Sequence, residues 1–393
     1  MNMGNVIVGQ SGGPTSVINS SLAGVYKTAL EHGAKKVYGM LHGVEGLLQG
    51  NYIDLSEHIS NELDIELLKR TPSSYLGSCR YKLPKISDNE QVYVKIFDLL
   101  KKLDVRNFFY IGGNDSMDTI GKLSEYASRH GADIRFMGVP KTIDNDLAVT
   151  DHTPGFGSAA KYIATTLKEI IRDSYAYGQK GVTIVEIMGR NAGWLTASSS
   201  LARTEDCPGP DMIYLPEVAF DVEDFVRQVD DMTKEKKSLI IAVSEGLRQE
   251  DGQYVCDLNN KVSFKDPFGH KALSGTAHYL SQKLSMELGC KTRPVEFSTI
   301  QRCASHIVSR TDVSEAFLAG GHAVKAAANG ETAKMVIFIR VSDDPYNITC
   351  ETCDIRYIAN KEKKIPLEWI DRNNSYVSRA YETYAEFSRS LTL

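Results

Sequence analysis

The chain has 393 residues, 42% of them hydrophobic and 24% charged, with 31 Gly and 12 Pro. Such a composition excludes disordered, collagen-like and coiled-coil chains and leaves room for two or three domains at roughly 150 residues each. Lys and Arg number 45 against 50 Asp and Glu, a formal net charge of −5, and no block of like charge offers a footprint for nucleic acid, so a bound phosphate must be held by local geometry. No stretch approaches the ~20 apolar residues of a membrane-spanning helix. The seven cysteines are an odd number in a long chain, which points to reduced thiols in a cytoplasm and not to a disulfide framework.

In chain order, the segment Met1 to Gly9 lacks the basic start and long apolar run of a signal peptide and reads as a first strand over Val6-Ile7-Val8. Further strands are expected at Phe108 to Ile111, Phe136 to Val139, Val182 to Val185, Leu239 to Val243 and Val336 to Ile339. Several are apolar throughout, as suits parallel strands covered on both faces by helices. Between them, Ile120, Leu123 and Ala127, then Ile163, Leu167, Ile170 and Ile171, then Val222, Phe225, Val229 and Met232 recur with the period of amphipathic helices. Strand and helix alternate, the pattern of an α/β protein built on βαβ units. No Pro, Gly or Ser-rich linker separates domains. We expect a boundary near residues 145 to 160 and a return crossing after about 300, so that 1–150 with part of 301–393 forms one domain and 151–300 the other. Cys350-x-x-Cys353 lacks a second pair at zinc-ribbon spacing and reads as two unligated thiols. The run Lys361 to Lys364 reads as a solvated loop.

Ligands of open α/β sheets collect where strands end and helices begin, because backbone N–H groups are free there. Four such turns stand out. Gly9-Gln10-Ser11-Gly12-Gly13-Pro14-Thr15 follows the first strand; paired glycines admit a phosphate close to the backbone, and Pro14 with Thr15 suits a helix start. It is neither a GxxxxGK[ST] loop nor a GxGxxG fingerprint. Gly112-Gly113-Asn114-Asp115-Ser116 follows a second strand, with Asp115 and Ser116 available as helix caps and an acidic side chain available to Mg²⁺. Pro140-Lys141-Thr142-Ile143-Asp144-Asn145-Asp146 places carboxylates and a cation within seven residues, which is what phosphoryl transfer to an alcohol requires. Met188-Gly189-Arg190 closes a fourth strand with a guanidinium suited to bidentate phosphate contact.

Taken with Gly77-Ser78-Cys79-Arg80, Ser244-Glu245-Gly246 and Ile300-Gln301-Arg302, these motifs resemble, in order and at similar spacing, the 6-phosphofructokinase family from residue 6 to about 330. The resemblance implies two similar three-layer αβα, Rossmann-like domains with the active site in the cleft between them. It further implies a cytoplasmic, Mg²⁺-dependent homodimer or homotetramer acting on small molecules, with no nucleic-acid or membrane partner. ATP-dependent members carry Gly where this chain has Asp115 and Lys141, whereas pyrophosphate-dependent members resemble it at both positions. Asp115 puts bulk and charge where a nucleotide α-phosphate would lie, and Lys141 can reach a pyrophosphate oxygen.

Carried over residue by residue, the resemblance makes Asp144 the general base toward the 1-hydroxyl of fructose 6-phosphate, with Lys141 and Arg190 as catalytic cations. Gly12, Gly13, Arg80, Gly113 and Asp115 would line the donor site. Thr142, Asp146, Met188, Gly189, Arg190 and Glu245 would contact the sugar, with Arg293 and Arg302 clamping its 6-phosphate. The chain departs from the family at three places: Asn114 replaces the usual Asp at a Mg²⁺ contact, an amide oxygen being a weaker, neutral ligand; Thr299, also counted among the sugar-site residues, stands where His or Tyr is common; and Gly181, with Lys180 beside it, replaces a phosphate-binding Arg. The reaction so implied is reversible phosphoryl transfer from pyrophosphate to fructose 6-phosphate, usable in glycolysis or gluconeogenesis. Its alternatives are the same transfer from ATP and a non-catalytic, sugar-phosphate-binding regulatory subunit, the latter disfavoured by the presence of Asp144, Lys141 and Arg190. A dinucleotide-binding dehydrogenase is disfavoured by the missing GxGxxG.

Overall fold

The computed structural model describes residues 3–176, 178, 180–258, 273–372 and 375–389. Its strands in chain order are β1 (Asn5–Gln10), β2 (Val37–Met40), β3 (Tyr52–Asp54), β4 (Val105–Gly112), β5 (Arg135–Pro140), β6 (Gly181–Ile187), β7 (Met212–Tyr214), β8 (Ser238–Ser244), β9 (Lys291–Glu296), β10 (Lys334–Asp343) and β11 (Tyr346–Asp354), followed by the two-residue strands β12 (Ile370–Asp371) and β13 (Tyr376–Val377). The chain divides into two compact units. Unit 1 comprises Met1–Ile143, Leu147–Ser158 and Arg302–Lys363; unit 2 comprises Asp144–Asp146, Ala159–Gln301 and Lys364–Leu393.

Unit 1 is built on a seven-stranded sheet of order β11-β10-β5-β4-β1-β2-β3. Its inner strands are parallel, and antiparallel partners occupy both edges, β3 on β2 and β11 on β10. Side chains alternate across a strand, so the apolar runs divide between two cores. Val6, Val8, Phe109, Ile111, Met137, Val139, Val336 and Phe338 face helices Ile18–Glu31, Glu62–Arg70 and Arg310–Ala328. Ile7, Phe108, Tyr110, Phe136, Met335 and Ile337 face helices Glu90–Lys102 and Asn114–His130. The result is three layers, with the glycine-rich turns at the carboxyl ends of β1 and β4 and the Lys141 to Asp146 segment leaving β5.

Unit 2 is built on a parallel sheet of order β7-β8-β6-β9. Val182, Ile184, Leu239, Ile241 and Val243 pack on one face with Phe225, Val229, Ala277 and Leu280 from helices Val222–Glu235 and Thr276–Leu288. The other face carries the buried Thr183, Val185, Ile240 and Ala242. Helix Phe156–Tyr175 covers that face near its end, where Ser174 Oγ lies 3.5 Å from Thr183 Oγ1.

Two readings of the sequence are corrected here. The run Lys361 to Lys364 is not simply a solvated loop: Lys363 Nζ donates to the carbonyls of Thr150 and Asp151 at 3.1 and 2.6 Å, and Glu362 bridges to Leu147. The helix after β4 starts at Asn114 with Gly113 as its N-cap, so neither Asp115 nor Ser116 caps it; Asp115 lies in the first turn and Ser116 is buried. Cys350 and Cys353 pack into opposite faces of the first sheet and therefore do not converge as a chelate.

Candidate active site

In unit 1, adjacent strands β1, β4 and β5 end level with one another, Gln10 beside Ile111 and Gly112 beside Pro140. Their turns are stitched by backbone bonds: Ser11 N–H to Ile111 O at 2.9 Å, Gly12 N–H to Cys79 O at 3.1 Å and Lys141 N–H to Gly112 O at 3.1 Å. The Thr15 hydroxyl accepts from the N–H groups of Val17 and Ile18, fixing the helix start that Pro14 and Thr15 suggested. Lys141 is 3% exposed, and its Nζ donates to Gly13 O at 2.7 Å. Gly12 has φ of +77°, and a Cβ there would stand 3.1 Å from that ammonium; the position needs glycine for its backbone and for the approach of the lysine.

The loop bearing Arg80 is held from inside by Gln10, a fully buried residue. Its amide oxygen accepts from Leu76 N–H and Ser74 Oγ at 2.9 and 2.8 Å, while its nitrogen donates to Asn19 Oδ1 at 2.8 Å. Ser78 Oγ donates to Gly12 O at 2.6 Å, so the Gly77 to Arg80 loop is fastened to the first turn. Gly113 faces Lys141 O, 3.6 Å from a Cβ placed there. Asn114 Nδ2 donates to Lys361 O at 2.6 Å, but its Oδ1 is buried with no hydrogen-bond partner. Thr142 is held by Thr153 Oγ1, which donates to its carbonyl at 2.8 Å. Unit 1 thus gathers Gly12, Gly13, Arg80, Gly113, Asn114, Asp115, Lys141 and Thr142 around the ends of three neighbouring strands. Arg302 opens the unit's last segment, and its carbonyl accepts from Ser16 Oγ at 3.3 Å.

In unit 2, the turns after β6 and β8 interlock. Ser244 Oγ donates to Gly189 O at 2.6 Å; Gly189 has φ of +135°, and any Cβ on Gly246 would strike Arg190 O. Gly189 N–H donates to Glu245 Oε1 at 3.4 Å, and Met188 N–H to Gln301 Oε1 at 3.4 Å. Burial raises the Glu245 carboxyl to about 8, and the charge of Asp144 adds to the rise; the Gly189 N–H and Arg190 oppose it. Arg190 Nε is buried with no hydrogen-bond partner. Asp144, Asp146, Met188, Gly189, Arg190 and Glu245 therefore belong to one unit, with Asp144 near enough to Glu245 to shift it. Thr299 is exposed in the short turn Ser298–Arg302. Arg293 stands apart. It lies level with Thr183, toward the start of β6, while Met188 follows the end of that strand. Its guanidinium pairs with Asp173 at 2.8 Å on the surface.

Several residues that hold these turns had no signal in the sequence. Glu186, raised to about 7 by burial, accepts from Ala277 N–H at 2.8 Å and fixes a helix start. Glu217 accepts from Gly193 N–H at 2.8 Å and Ile365 N–H at 3.1 Å. Neither belongs to a recognisable motif, because each acts on backbone far away in sequence.

The profile of the phosphofructokinase family matches residues 5–327. The chain belongs to the phosphofructokinase family. It is 38% identical over 97% of its length to a pyrophosphate–fructose 6-phosphate 1-phosphotransferase of Halomonas elongata, covering 90% of that protein. It is also 38% identical to a protein of the same name from Xanthomonas campestris, over 98% of this chain and 91% of that one. Among solved structures, a pyrophosphate-dependent phosphofructokinase from Nitrosospira multiformis superposes with a TM-score of 0.86 at 33% identity, covering 97% of this chain and 90% of that one. The phosphofructokinase likeness thus extends over the two αβα units as well as over the motifs. Among the described residues no helix is long and apolar enough to cross a membrane.

Proposed function

We propose that the protein transfers a phosphoryl group from pyrophosphate to the 1-hydroxyl of fructose 6-phosphate, giving fructose 1,6-bisphosphate and phosphate. The observation that carries this reading is the buried Lys141 ammonium, seated on the Gly13 carbonyl beside the turn that bears Asp115. A cation at that point stabilises charge on a leaving phosphate, and the Asp115 carboxylate repels the α-phosphate of a nucleotide. Relatives named for this reaction, at 38% identity, support it.

In this reading the unit 1 turns bind the donor, Gly12, Gly13 and Gly113 letting phosphoryl oxygens approach the backbone and Arg80 adding charge. Asp144 takes the proton of the attacking hydroxyl. Arg190, with its unpartnered buried Nε, neutralises developing phosphoryl charge, while Thr142, Asp146, Met188, Gly189, Glu245, Thr299 and Arg302 orient the sugar phosphate. At neutral pH the raised Glu245 carboxyl holds a proton that it can donate to a sugar hydroxyl. Mg²⁺, when bound, would neutralise charge on the transferring group. The orphan oxygen of Asn114 is a hard donor that fits it, since Mg²⁺ takes few protein ligands and retains water and phosphate oxygens. Because Arg293 lies level with Thr183, five residues before Met188 opens the turn after β6, we assign its clamp to a second copy of the chain, in a homo-oligomer of the cytoplasm. Bond energies of similar size in donor and product make the step reversible.

The test is initial rate with pyrophosphate against ATP at fixed Mg²⁺ and fructose 6-phosphate. Pyrophosphate should support turnover and ATP should not; preference for ATP would replace this reading with the nucleotide-dependent one.

A further inference from the structure

The family profile ends at residue 327, yet residues 364–393 belong to unit 2, and their helix Arg379–Ala385 reaches the Asp144 loop. Asn145, between Asp144 and Asp146, is fully buried with φ of +55°, a left-handed conformation that asparagine tolerates better than most side-chain-bearing residues. Here Asn145 Nδ2 donates to the Tyr384 hydroxyl at 2.8 Å. The tyrosine is itself wedged in place, its ring 5.3 Å from Trp194 and 5.5 Å from Trp369 between centroids. Trp194 opens the helix after the Met188 to Gly193 turn, and its carbonyl accepts from Tyr381 OH at 2.5 Å. One short helix thus touches the two unit 2 segments that bear Asp144 and Arg190.

We infer that Tyr384 is a positioning residue: its hydroxyl, acting through Asn145, holds the Asp144-Asn145-Asp146 loop in the geometry required of the base. The inference rests on the reading of Asp144 as that base. The hydroxyl touches no substrate in this scheme, so its loss misaims the base without removing a binding contact. Misplacement of a catalytic group by about 1 Å lowers turnover by up to roughly 10²-fold. Apart from Asp146 in the same loop, the side chains assigned to the sugar phosphate lie elsewhere, so KM shifts far less than kcat.

The experiment measures kcat and KM of the full chain with pyrophosphate and fructose 6-phosphate for Tyr384→Phe, Asn145→Gly, the double variant and Asp144→Ala. Phe keeps the ring contacts, and Gly tolerates the left-handed backbone, so both variants preserve the fold while cutting the bond. Tyr384→Phe should lower kcat about tenfold with KM within about twofold, and the double variant should be no slower than Asn145→Gly alone. Unchanged kcat in Tyr384→Phe, a rise in KM alone, or losses that multiply in the double variant would overturn the inference. Full turnover in Asp144→Ala would instead remove the base reading on which it rests. An inactive Asp144→Ala beside a fully active Tyr384→Phe would discard the clamp and keep the base.

Discussion

The two units use one device, the turn at the carboxyl end of a parallel strand, with opposite electrostatics. In unit 1 the turns are held by backbone bonds and by a buried cation, Lys141 on the Gly13 carbonyl. In unit 2 they are held by buried carboxyls, Glu186, Glu217 and Glu245, all shifted upward by burial. Burial disfavours the charged carboxylate and pushes these three carboxyls toward neutrality, with neighbouring carboxylates adding to the rise at Glu186 and Glu245.

The sharpest break in this contrast is at the base. Asp144→Ala should lower turnover by roughly 10²-fold or more, since general bases contribute about 10² to 10⁴, with fructose 6-phosphate KM near normal; steady-state rates decide it. On the unit 1 side, Lys141→Met should lower turnover with pyrophosphate by roughly 10² to 10³, the typical effect of deleting one charge-stabilising donor. An equal loss of sugar-phosphate affinity would place the lysine elsewhere. Asp115→Gly tests the donor gate: nucleotide binding, absent before, should become measurable by titration with MgATP, and failure at every magnesium concentration would move the origin of donor choice to other residues.

The smallest effect concerns stability. The folded Glu186 carboxyl is raised from 4.5 to about 7, so the native state binds more protons than the unfolded chain between these values. Its contribution is full below about pH 4.5 and is lost as pH rises through 7. Glu186→Gln should remove that pH dependence, on the order of 3 kcal/mol at about 1.4 kcal/mol per unit, as read by denaturant titration of both proteins across pH 4.5 to 8. Parallel stability curves would contradict the buried-carboxyl account of unit 2.

Legibility of the fold followed from burial. The strands β1, β4, β5, β6, β8 and the first half of β10 are apolar on both faces, and their runs stand out in the sequence. By contrast β9 is Lys-Thr-Arg-Pro-Val-Glu and half exposed, β11 alternates exposed and half-buried residues, and β7 has three residues; none presents a continuous run. Among candidate residues, glycine turns and clustered charges were visible because backbone conformation and phosphate chemistry restrict which residues serve. Gln10, Glu217 and Tyr384 were not, since a side chain whose hydrogen-bond partner lies 66, 148 or 239 positions away leaves no local pattern.

The sheet of unit 1 also sets the order in which the chain can be completed. All four strands of unit 2's sheet lie between Gly181 and Glu296, whereas β5 waits for β10, which begins at Lys334. During synthesis the flank of Arg135–Pro140 stays open while an entire second sheet is made. An open strand with an apolar face is a template for pairing with another chain, and long-range strand pairing is slow. Nascent or truncated chains that stop before residue 334 therefore leave the β5 edge without its β10 partner.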